Sequence, residues 1–137
     1  MNKKIIFKSI LVILWLIVIY FFSSQSGSQS TNLTKGLIEK IFWFIENDFF
    51  FVFIRKCAHF TEYLILGLLI YNLLSEFNVS YKSIIIFLSC LICASLDEIH
   101  QMFVFGRSGN IIDVLIDISG TITFLLILIF IKLKKTS

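Results

Sequence analysis

The sequence predicts an all-α membrane protein with four transmembrane helices and one amphipathic helix at the membrane interface. Hydrophobic residues make up 58% of the 137 residues, and proline is absent. The mean hydropathy is +0.93. A soluble domain of this length needs a polar surface for which this chain lacks the residues. The apolar residues instead form four runs, each close to the roughly 20 residues that an α-helix needs to cross a bilayer core.

The four predicted spans belong to one membrane domain, residues 1–137. Their approximate limits are 5–22, 57–74, 84–104 and 111–131, with polar connectors at 23–36, 75–83 and 105–110. The first run follows Lys3 and Lys4, as the core of a signal peptide does. Its 18 residues exceed the roughly 7–15 residues of such a core, so we predict a retained helix. The connector 23–36 is expected to be a short loop.

The segment 37–54 is the predicted interfacial helix. It is aromatic enough to suggest a fifth span, but Glu46 and Asp48 would then lie near the middle of the membrane, at a cost of several kcal/mol. A helix lying in the interface avoids this cost, with Phe42 and Trp43 among its anchors. A spanning helix is the alternative interpretation.

The basic residues predict the orientation of the spans. Seven of the twelve Lys and Arg residues lie on the side that holds both termini, and five lie on the other side. The positive-inside rule then places both termini in the cytoplasm. In this orientation Glu62, Asp97 and Asp117 lie about 9–11 Å below the outer boundary. Charges at such depth cost about 2.5–3.5 kcal/mol each on insertion scales, so their presence predicts a polar site in the outer leaflet.

Helical spacing brings the first group of candidate residues onto one face. Arg55, His59 and Glu62 follow an i, i+4, i+7 pattern at the start of the second apolar run. Lys56 and Tyr63 lie on the adjoining flanks of the same face. This segment therefore presents together a cation, which can bind an anion, and an imidazole and a carboxylate, which can transfer protons.

Two later groups have similar spacing. Asp97, His100 and Gln101 follow the i, i+3, i+4 rule near the end of the third run, and Asp113 and Asp117 are four residues apart in the fourth. Neighbouring helices can therefore direct these side chains toward one another. Because all three groups fall in the outer half of the predicted bundle, we expect them to converge.

A purely structural role is the alternative for these charges. Buried ionisable side chains can neutralise one another without forming a site, and Arg107 with Asp113, or Lys56 with Glu98, could be such pairs. The complete set contains two His, five acids and three bases in four segments. Its concentration at one depth favours a functional site over scattered ion pairs.

The motifs of the chain resemble those of the VanZ-like membrane proteins. The resemblance covers about residues 20–120 and lies, in family order, in Phe22-Ser23-Ser24-Gln25, Arg55-Lys56-x-x-His59-Phe60-x-Glu62-Tyr63-x-x-Leu66-Gly67, Asp97-Glu98-x-His100-Gln101-x-Phe103, Gly106-Arg107 and Asp113-Val114-x-x-Asp117-x-x-Gly120. Two positions depart from the family pattern. Phe105 stands where Pro is frequent, and Asp117 stands where Asn is frequent, so the resemblance does not require a carboxylate there.

The resemblance implies a small four-helix protein of the bacterial cytoplasmic membrane. Members of this family are linked to low-level resistance to glycopeptide antibiotics, particularly lipid-bearing ones such as teicoplanin. Kinship with enzymes that exchange or remove lipid head groups has been suggested for them. The expected partner is therefore a membrane lipid or a polyprenyl-phosphate-linked cell-wall precursor, and not a nucleic acid. The alternative is a protein that binds or shields such a precursor without catalysis.

The candidate residues fit the chemistry of a lipid phosphate. The residues expected to bind the substrate are Ser24, Gln25, Arg55, Lys56, Tyr63, Gln101 and Arg107. Those expected to take part in catalysis are His59, Glu62, Asp97 and His100. His59 would serve as base or nucleophile, and His100 would protonate the leaving group. A divalent cation, Mg²⁺ or Mn²⁺, is expected on Asp97, Glu98 and Asp113.

Overall fold

The computed structural model describes residues 2–38, 48–107 and 109–136, and these ranges contain five α-helices and no strand. The helices are α1 (Lys3–Ser23), α2 (Gly27–Ile38), α3 (Asp48–Leu74), α4 (Lys82–Gln101) and α5 (Ile111–Thr136). All except α2 are long and apolar enough to cross a membrane. The prediction of an all-α membrane protein with four candidate spans is thereby confirmed.

The ends of the spans differ from the predicted limits. α3 begins at Asp48, whereas the predicted span began at residue 57, and α4 ends at Gln101, before the predicted limit of 104. The early start of α3 has a simple cause, because extending an existing helix is easier than nucleating a separate one. The chain turns after α4 and reaches Gly106 at a positive φ of 73°, a conformation that suits glycine.

The predicted interfacial helix, 37–54, is not found as a separate element in the described residues. Residues 39–47 lie outside them, so that part of the prediction is not tested. Residues 37–38 end α2, and residues 48–54 form the first turns of α3. An interfacial position for the remainder stays a prediction.

The prediction of a loop over 23–36 is wrong, because α2 begins at Gly27. The Ser26 hydroxyl accepts a hydrogen bond from the Gln29 backbone N–H at 3.3 Å, and the Gln29 side chain accepts one from the Ser26 N–H at 3.1 Å. This reciprocal pair is a capping box, which satisfies two backbone donors at a helix start. The Ser-x-x-Gln pattern in the sequence thus indicates the start of a helix at this position.

A contact between two glycines holds the start of α2 against the loop that joins α4 and α5. The Gly27 N–H donates to the Phe105 carbonyl at 3.3 Å. A Cβ atom on Gly27 would collide with the Gly106 carbonyl oxygen. The absence of a side chain at position 27 therefore lets the backbones meet, and α2 forms a wall beside the ends of the spans.

α3 lies at the centre of the bundle and packs against each of the other four helices. Its most extensive partner is α5. Tyr63 and Leu66 of α3 are fully buried together with Ile86 and Cys90 of α4. The Thr121 hydroxyl of α5 donates to the Tyr63 carbonyl at 3.3 Å, so the helix pair is joined by a hydrogen bond as well as by side-chain packing.

α1 is the most lipid-exposed span, with only Ile19 and Ser23 buried. One polar contact fixes it to α3, and another fixes it to the turn that follows α3. The Trp15 indole donates to the Glu62 carbonyl at 2.9 Å. At the other end, Lys8 reaches the Glu76 carboxylate at 2.5 Å, and this hydrogen bond lowers the pKa of the Glu76 carboxyl. α1 is therefore anchored at two depths although few of its side chains are buried.

Replacement of Gly120 by alanine should destabilise the bundle. A Cβ atom at this position would overlap the Phe60 carbonyl oxygen and the adjoining backbone of α3, so α5 would have to move away at a cost of about 1–3 kcal/mol. The matched control is Gly36→Ala, because nothing lies within 4 Å of a Cβ there. Thermal unfolding in detergent should show a lower midpoint for Gly120→Ala only. Equal midpoints for both variants would contradict the proposed close packing.

Cysteine labelling should establish which ends of the spans face outward. Phe105 is exposed in the loop after α4, and Asn78 is exposed in the turn between α3 and α4. The experiment uses a variant in which the three native cysteines are replaced by alanine. Phe105→Cys should react with an impermeant thiol reagent in intact cells, and Asn78→Cys only after lysis. The opposite pattern would place the Phe105 end in the cytoplasm.

Candidate functional site

A cluster of ionisable side chains occupies the end of the bundle where α3 and α5 begin and α4 ends. His59, Asp97 and Asp117 come from these three helices, and each offers a ligand atom within 4.8 Å of the other two. His59 Nδ1 lies 3.6 Å from Glu62 Oε2 and 3.7 Å from Asp117 Oδ1. These distances are longer than hydrogen bonds. The imidazole is thus surrounded by carboxylates without being bonded to them.

The helix faces predicted from the spacing explain this arrangement. His59 and Glu62 are separated by three residues on α3, so both side chains point to the same side. Asp117 precedes Gly120 by three residues on α5, and Gly120 lies against the backbone of Phe60. The close approach at Gly120 therefore carries the Asp117 carboxylate to the imidazole.

Three polar atoms of this cluster have no hydrogen-bond partner among the described residues. They are His59 Nδ1 and both carboxylate oxygens of Asp117, and Asp117 is fully buried. A buried polar group without a partner costs about 1–3 kcal/mol. Such groups are rare in native structures and mark places where a proton, an ion or a ligand supplies the missing contact.

A cavity of about 270 Å³ opens on one side of the cluster, and most of its lining surface is apolar although six of its ten lining residues are polar. The lining residues are Phe22, Gln25, Ser30, Leu33, Ile54, Arg55, Ala58, His59, Glu62 and Arg107. Residues of α2 supply part of this wall. The apolar surface of this cavity is suited to the apolar part of a ligand.

A second cavity of about 140 Å³ is bounded mainly by polar side chains. The lining residues are Arg55, Lys56, His59, Gln101, Gly106, Arg107, Asn110, Asp113 and Ile116. Arg55, His59 and Arg107 border both cavities. These three side chains thus form a wall shared by a cavity with a mainly apolar surface and a cavity with a mainly polar one.

The two guanidinium groups differ in their surroundings. Arg107 lies in the loop after α4, and its Nη2 donates to the Phe22 carbonyl at 3.4 Å, while its Nε is buried without a partner. Burial lowers the pKa of the Arg107 guanidinium, and the charge of Arg55 lowers it further. An arginine nevertheless stays charged at physiological pH. Within the described part of the chain, Arg55 has no carboxylate within 4 Å.

Lys56 has a carboxylate partner, unlike Arg55. It forms an ion pair with Asp113, which is neither of the two pairs that the sequence suggested. The Glu98 carboxylate accepts a hydrogen bond from the Asn110 N–H at 2.9 Å. Two of the three expected metal ligands are therefore occupied by other contacts. The group of possible ligands in the described residues is His59, Asp97 and Asp117, so only Asp97 is common to both sets.

His100 lies away from both cavities. Its Nε2 is 3.2 Å from the Ser24 hydroxyl, and its ring lies 4.9 Å from the Tyr20 ring of α1. It borders a separate groove of about 300 Å³ between α1 and α4, together with Tyr63 and Asp97. Asp97 is the residue that joins this groove to the His59 cluster. The two histidines are therefore not brought to one position, although both were expected to be catalytic.

The remaining expected residues are divided between these regions. Gln101 borders the second cavity and donates to Asp97 Oδ2 at 3.1 Å. Gln25 borders the first cavity, whereas Ser24 does not. Tyr63 is fully buried, and its hydroxyl has no partner among the described residues. Tyr63 thus belongs to the core and the groove rather than to the two cavities.

Asp117 is the important residue that the sequence-based selection missed. The i, i+4 spacing with Asp113 placed it on the correct face of α5. It was left out because the resemblance indicated that asparagine is frequent at this position. Its complete burial beside His59 depends on the packing of α5 against α3, and no sequence pattern reports that distance.

Comparisons with known proteins agree with the motifs on which the site is built. A family model, VanZ/LLP1, matches residues 8–132. No curated protein and no solved structure matches the chain. The matched range contains all four candidate spans almost completely, and it includes every residue of the two cavities. The chain therefore belongs to the VanZ/LLP1 family.

Proposed function

We propose that this protein binds a phosphate-bearing lipid or a lipid-linked cell-wall precursor and hydrolyses or exchanges its head group. The proposed place is the outer leaflet of the bacterial cytoplasmic membrane, with both termini of the chain in the cytoplasm. The observation that carries the proposal is the shared wall of Arg55, His59 and Arg107 between an apolar and a polar cavity. In a phospholipid the phosphate likewise lies between an apolar chain and a polar head group, which would occupy the apolar and the polar cavity.

The two arginines are suited to hold the phosphate. A guanidinium can donate two parallel hydrogen bonds to phosphate oxygens, and its charge is not lost at any physiological pH. Arg55 has no carboxylate partner in the described residues, whereas Lys56 is paired with Asp113. The anion-binding groups are therefore the arginines, and Lys56 contributes to the polar wall.

His59 is the residue that supports a reaction at phosphorus. Its Nδ1 faces the carboxylates of Glu62 and Asp117, which favours a hydrogen on Nδ1 and leaves a lone pair on Nε2. Nε2 can then accept a proton from water as its oxygen attacks phosphorus. One phosphorus–oxygen bond forms, the bond to the head group breaks, and the proton ends on the released alcohol. An alcohol in place of water would give exchange.

A binding role without catalysis is the second candidate. The observation that favours it is the position of His100, which borders a different groove and not the two cavities. The residue expected to protonate the leaving group is thus not beside the phosphate position. In this case the arginines would retain a lipid-linked precursor, and resistance to lipid-bearing glycopeptides such as teicoplanin would follow from shielding it.

Loss of Arg55 should weaken lipid binding. Arg55→Gln removes one of two phosphate-binding cations, and we expect at least a tenfold loss of affinity for a labelled anionic phospholipid. Lys134→Gln removes the same charge from an exposed position at the far end of α5 and should bind as the wild type does. Binding of detergent-solubilised protein to labelled lipid measures both. Equal losses would indicate attraction by net charge alone.

Lipid profiling with His59→Ala should separate the two candidate functions. Membranes from cells that express the wild type should contain a head-group product that is absent with His59→Ala. Purified wild-type protein should form the same product from phospholipids or polyprenyl phosphates. His100→Ala should cause a smaller loss, because His100 lies outside both cavities. If neither wild type nor variant turns over lipid and both still bind it, the shielding role is correct.

A further inference from the structure

We propose that His59, Asp97 and Asp117 form a binding site for one divalent transition-metal cation of the Mn²⁺ or Zn²⁺ type. The three side chains come from α3, α4 and α5, and their ligand atoms lie within 4.8 Å of one another. Three protein ligands that leave further positions open are typical of catalytic metal sites. The site requires no lipid, so it can be tested independently of the proposed function.

The spacing of two of the three ligand atoms, those of His59 and Asp117, is close to what an ion needs. Metal–ligand bonds of about 2.0–2.1 Å in tetrahedral geometry place neighbouring ligand atoms about 3.3 Å apart. His59 Nδ1 and Asp117 Oδ1 are separated by 3.7 Å. Closing the remaining few tenths of an ångström requires only small side-chain rotations. No helix has to move for the pair to share one ion.

The unpartnered atoms of the cluster point to a ligand independently of the spacing. Asp117 is fully buried, and neither of its carboxylate oxygens has a hydrogen-bond partner in the described residues. The same is true of His59 Nδ1. A shared cation would coordinate the carboxylate and the imidazole at once, and it would thereby give a partner to atoms that have none.

Asp97 is held in a way that suits a metal ligand. Its Oδ2 accepts a hydrogen bond from the Gln101 side chain at 3.1 Å. This hydrogen bond fixes the direction of the carboxylate. Supporting contacts of this kind orient the ligands in metalloproteins and increase their affinity.

The charge balance around the cluster also favours a cation. The site contains two more carboxylates than basic side chains, the members being Glu62, Asp97, Glu98, Asp113 and Asp117 against Arg55, Lys56 and Arg107. An anionic phosphate would increase this excess of negative charge. One divalent ion balances the two additional carboxylates, and it would also neutralise charge on a bound phosphate.

The combination of one imidazole nitrogen with two carboxylate groups indicates the type of ion. Mg²⁺ and Ca²⁺ prefer oxygen ligands alone, whereas Zn²⁺ and other first-row transition metals accept an imidazole nitrogen together with carboxylate oxygens. Mn²⁺ is the member of that series that tolerates carboxylates best. The site differs in this respect from the all-carboxylate Mg²⁺ or Mn²⁺ site expected from the sequence.

Metal binding would change the part that His59 plays in the proposed chemistry. An imidazole that coordinates through Nδ1 carries its hydrogen on Nε2 and acts as a donor. His59 would then hold the phosphate instead of accepting a proton, and the ion would activate the attacking water. The arginines keep the same role in both cases.

Metal content of the purified protein tests the site. Full-length protein in detergent, prepared without a polyhistidine tag, is stripped with a chelator and equilibrated with Mn²⁺ or Zn²⁺. Elemental analysis after gel filtration should find about one ion per chain for the wild type. We expect Asp117→Asn to bind at least tenfold more weakly. Glu76→Gln removes a carboxylate at the opposite end of α3 and should bind as the wild type does.

Two further variants keep the test decisive. Asp113→Asn should retain the ion, because Asp113 is paired with Lys56; its loss of the ion would favour the set expected from the sequence. His59→Gln should lose the ion. Equal unfolding midpoints of the metal-free wild type, His59→Gln and Asp117→Asn would show that both variants lose the ion through a local change and not through unfolding. The proposal is overturned if the stripped wild type takes up no ion or if Asp117→Asn binds the ion as tightly as the wild type does. Loss of lipid turnover with normal metal content would count against the proposed function alone.

Discussion

The close contact between α3 and α5 is the constraint on which the rest of the site depends. Gly120 lies against the backbone of Phe60, and the neighbouring Thr121 hydroxyl bonds to the Tyr63 carbonyl. Asp117 lies one turn earlier on α5 and His59 immediately before Phe60 on α3, so the same contact brings carboxylate and imidazole together. A side chain at position 120 would separate the helices and with them the two functional groups.

The site combines an energetically unfavourable inner part with an outer part made of favourable contacts. Its inner part places several ionisable groups in the bundle with few hydrogen bonds, an arrangement that is unfavourable by itself and rare in native structures. Its outer part is built from ordinary contacts, such as the capping box of Ser26 and Gln29 and the meeting of Gly27 with Gly106. These contacts hold α2 beside the loop of Arg107, so an apolar cavity forms next to the charged cluster.

The sequence predicted the four spans well because membrane insertion depends on the composition of each segment, which can be read locally. Helix ends were predicted less well, since they depend on caps and on neighbouring turns. The Ser-x-x-Gln pattern of the capping box is present in the sequence, although the connector 23–36 is predicted to be a loop. The contacts of the expected metal ligands could not be predicted, for a different reason. Lys56 and the Asn110 N–H bind Asp113 and Glu98, and such competition between partners has no pattern in the sequence.

The sequence by itself determined the class of protein, the number of candidate spans, and the helix face on which each group of ionisable residues lies, because hydropathy and helical spacing are properties of single segments. Only the tertiary structure decided which of these residues meet. The packing of α5 on α3 selects Asp117 as the partner of His59. His100 lies three residues after Asp97 on α4, so its side chain points about 60° away from that of Asp97. Because α1 packs on that side, His100 contacts Tyr20 and Ser24. Distances between helices are set by the side chains that pack between them, and that information is distributed over the whole bundle.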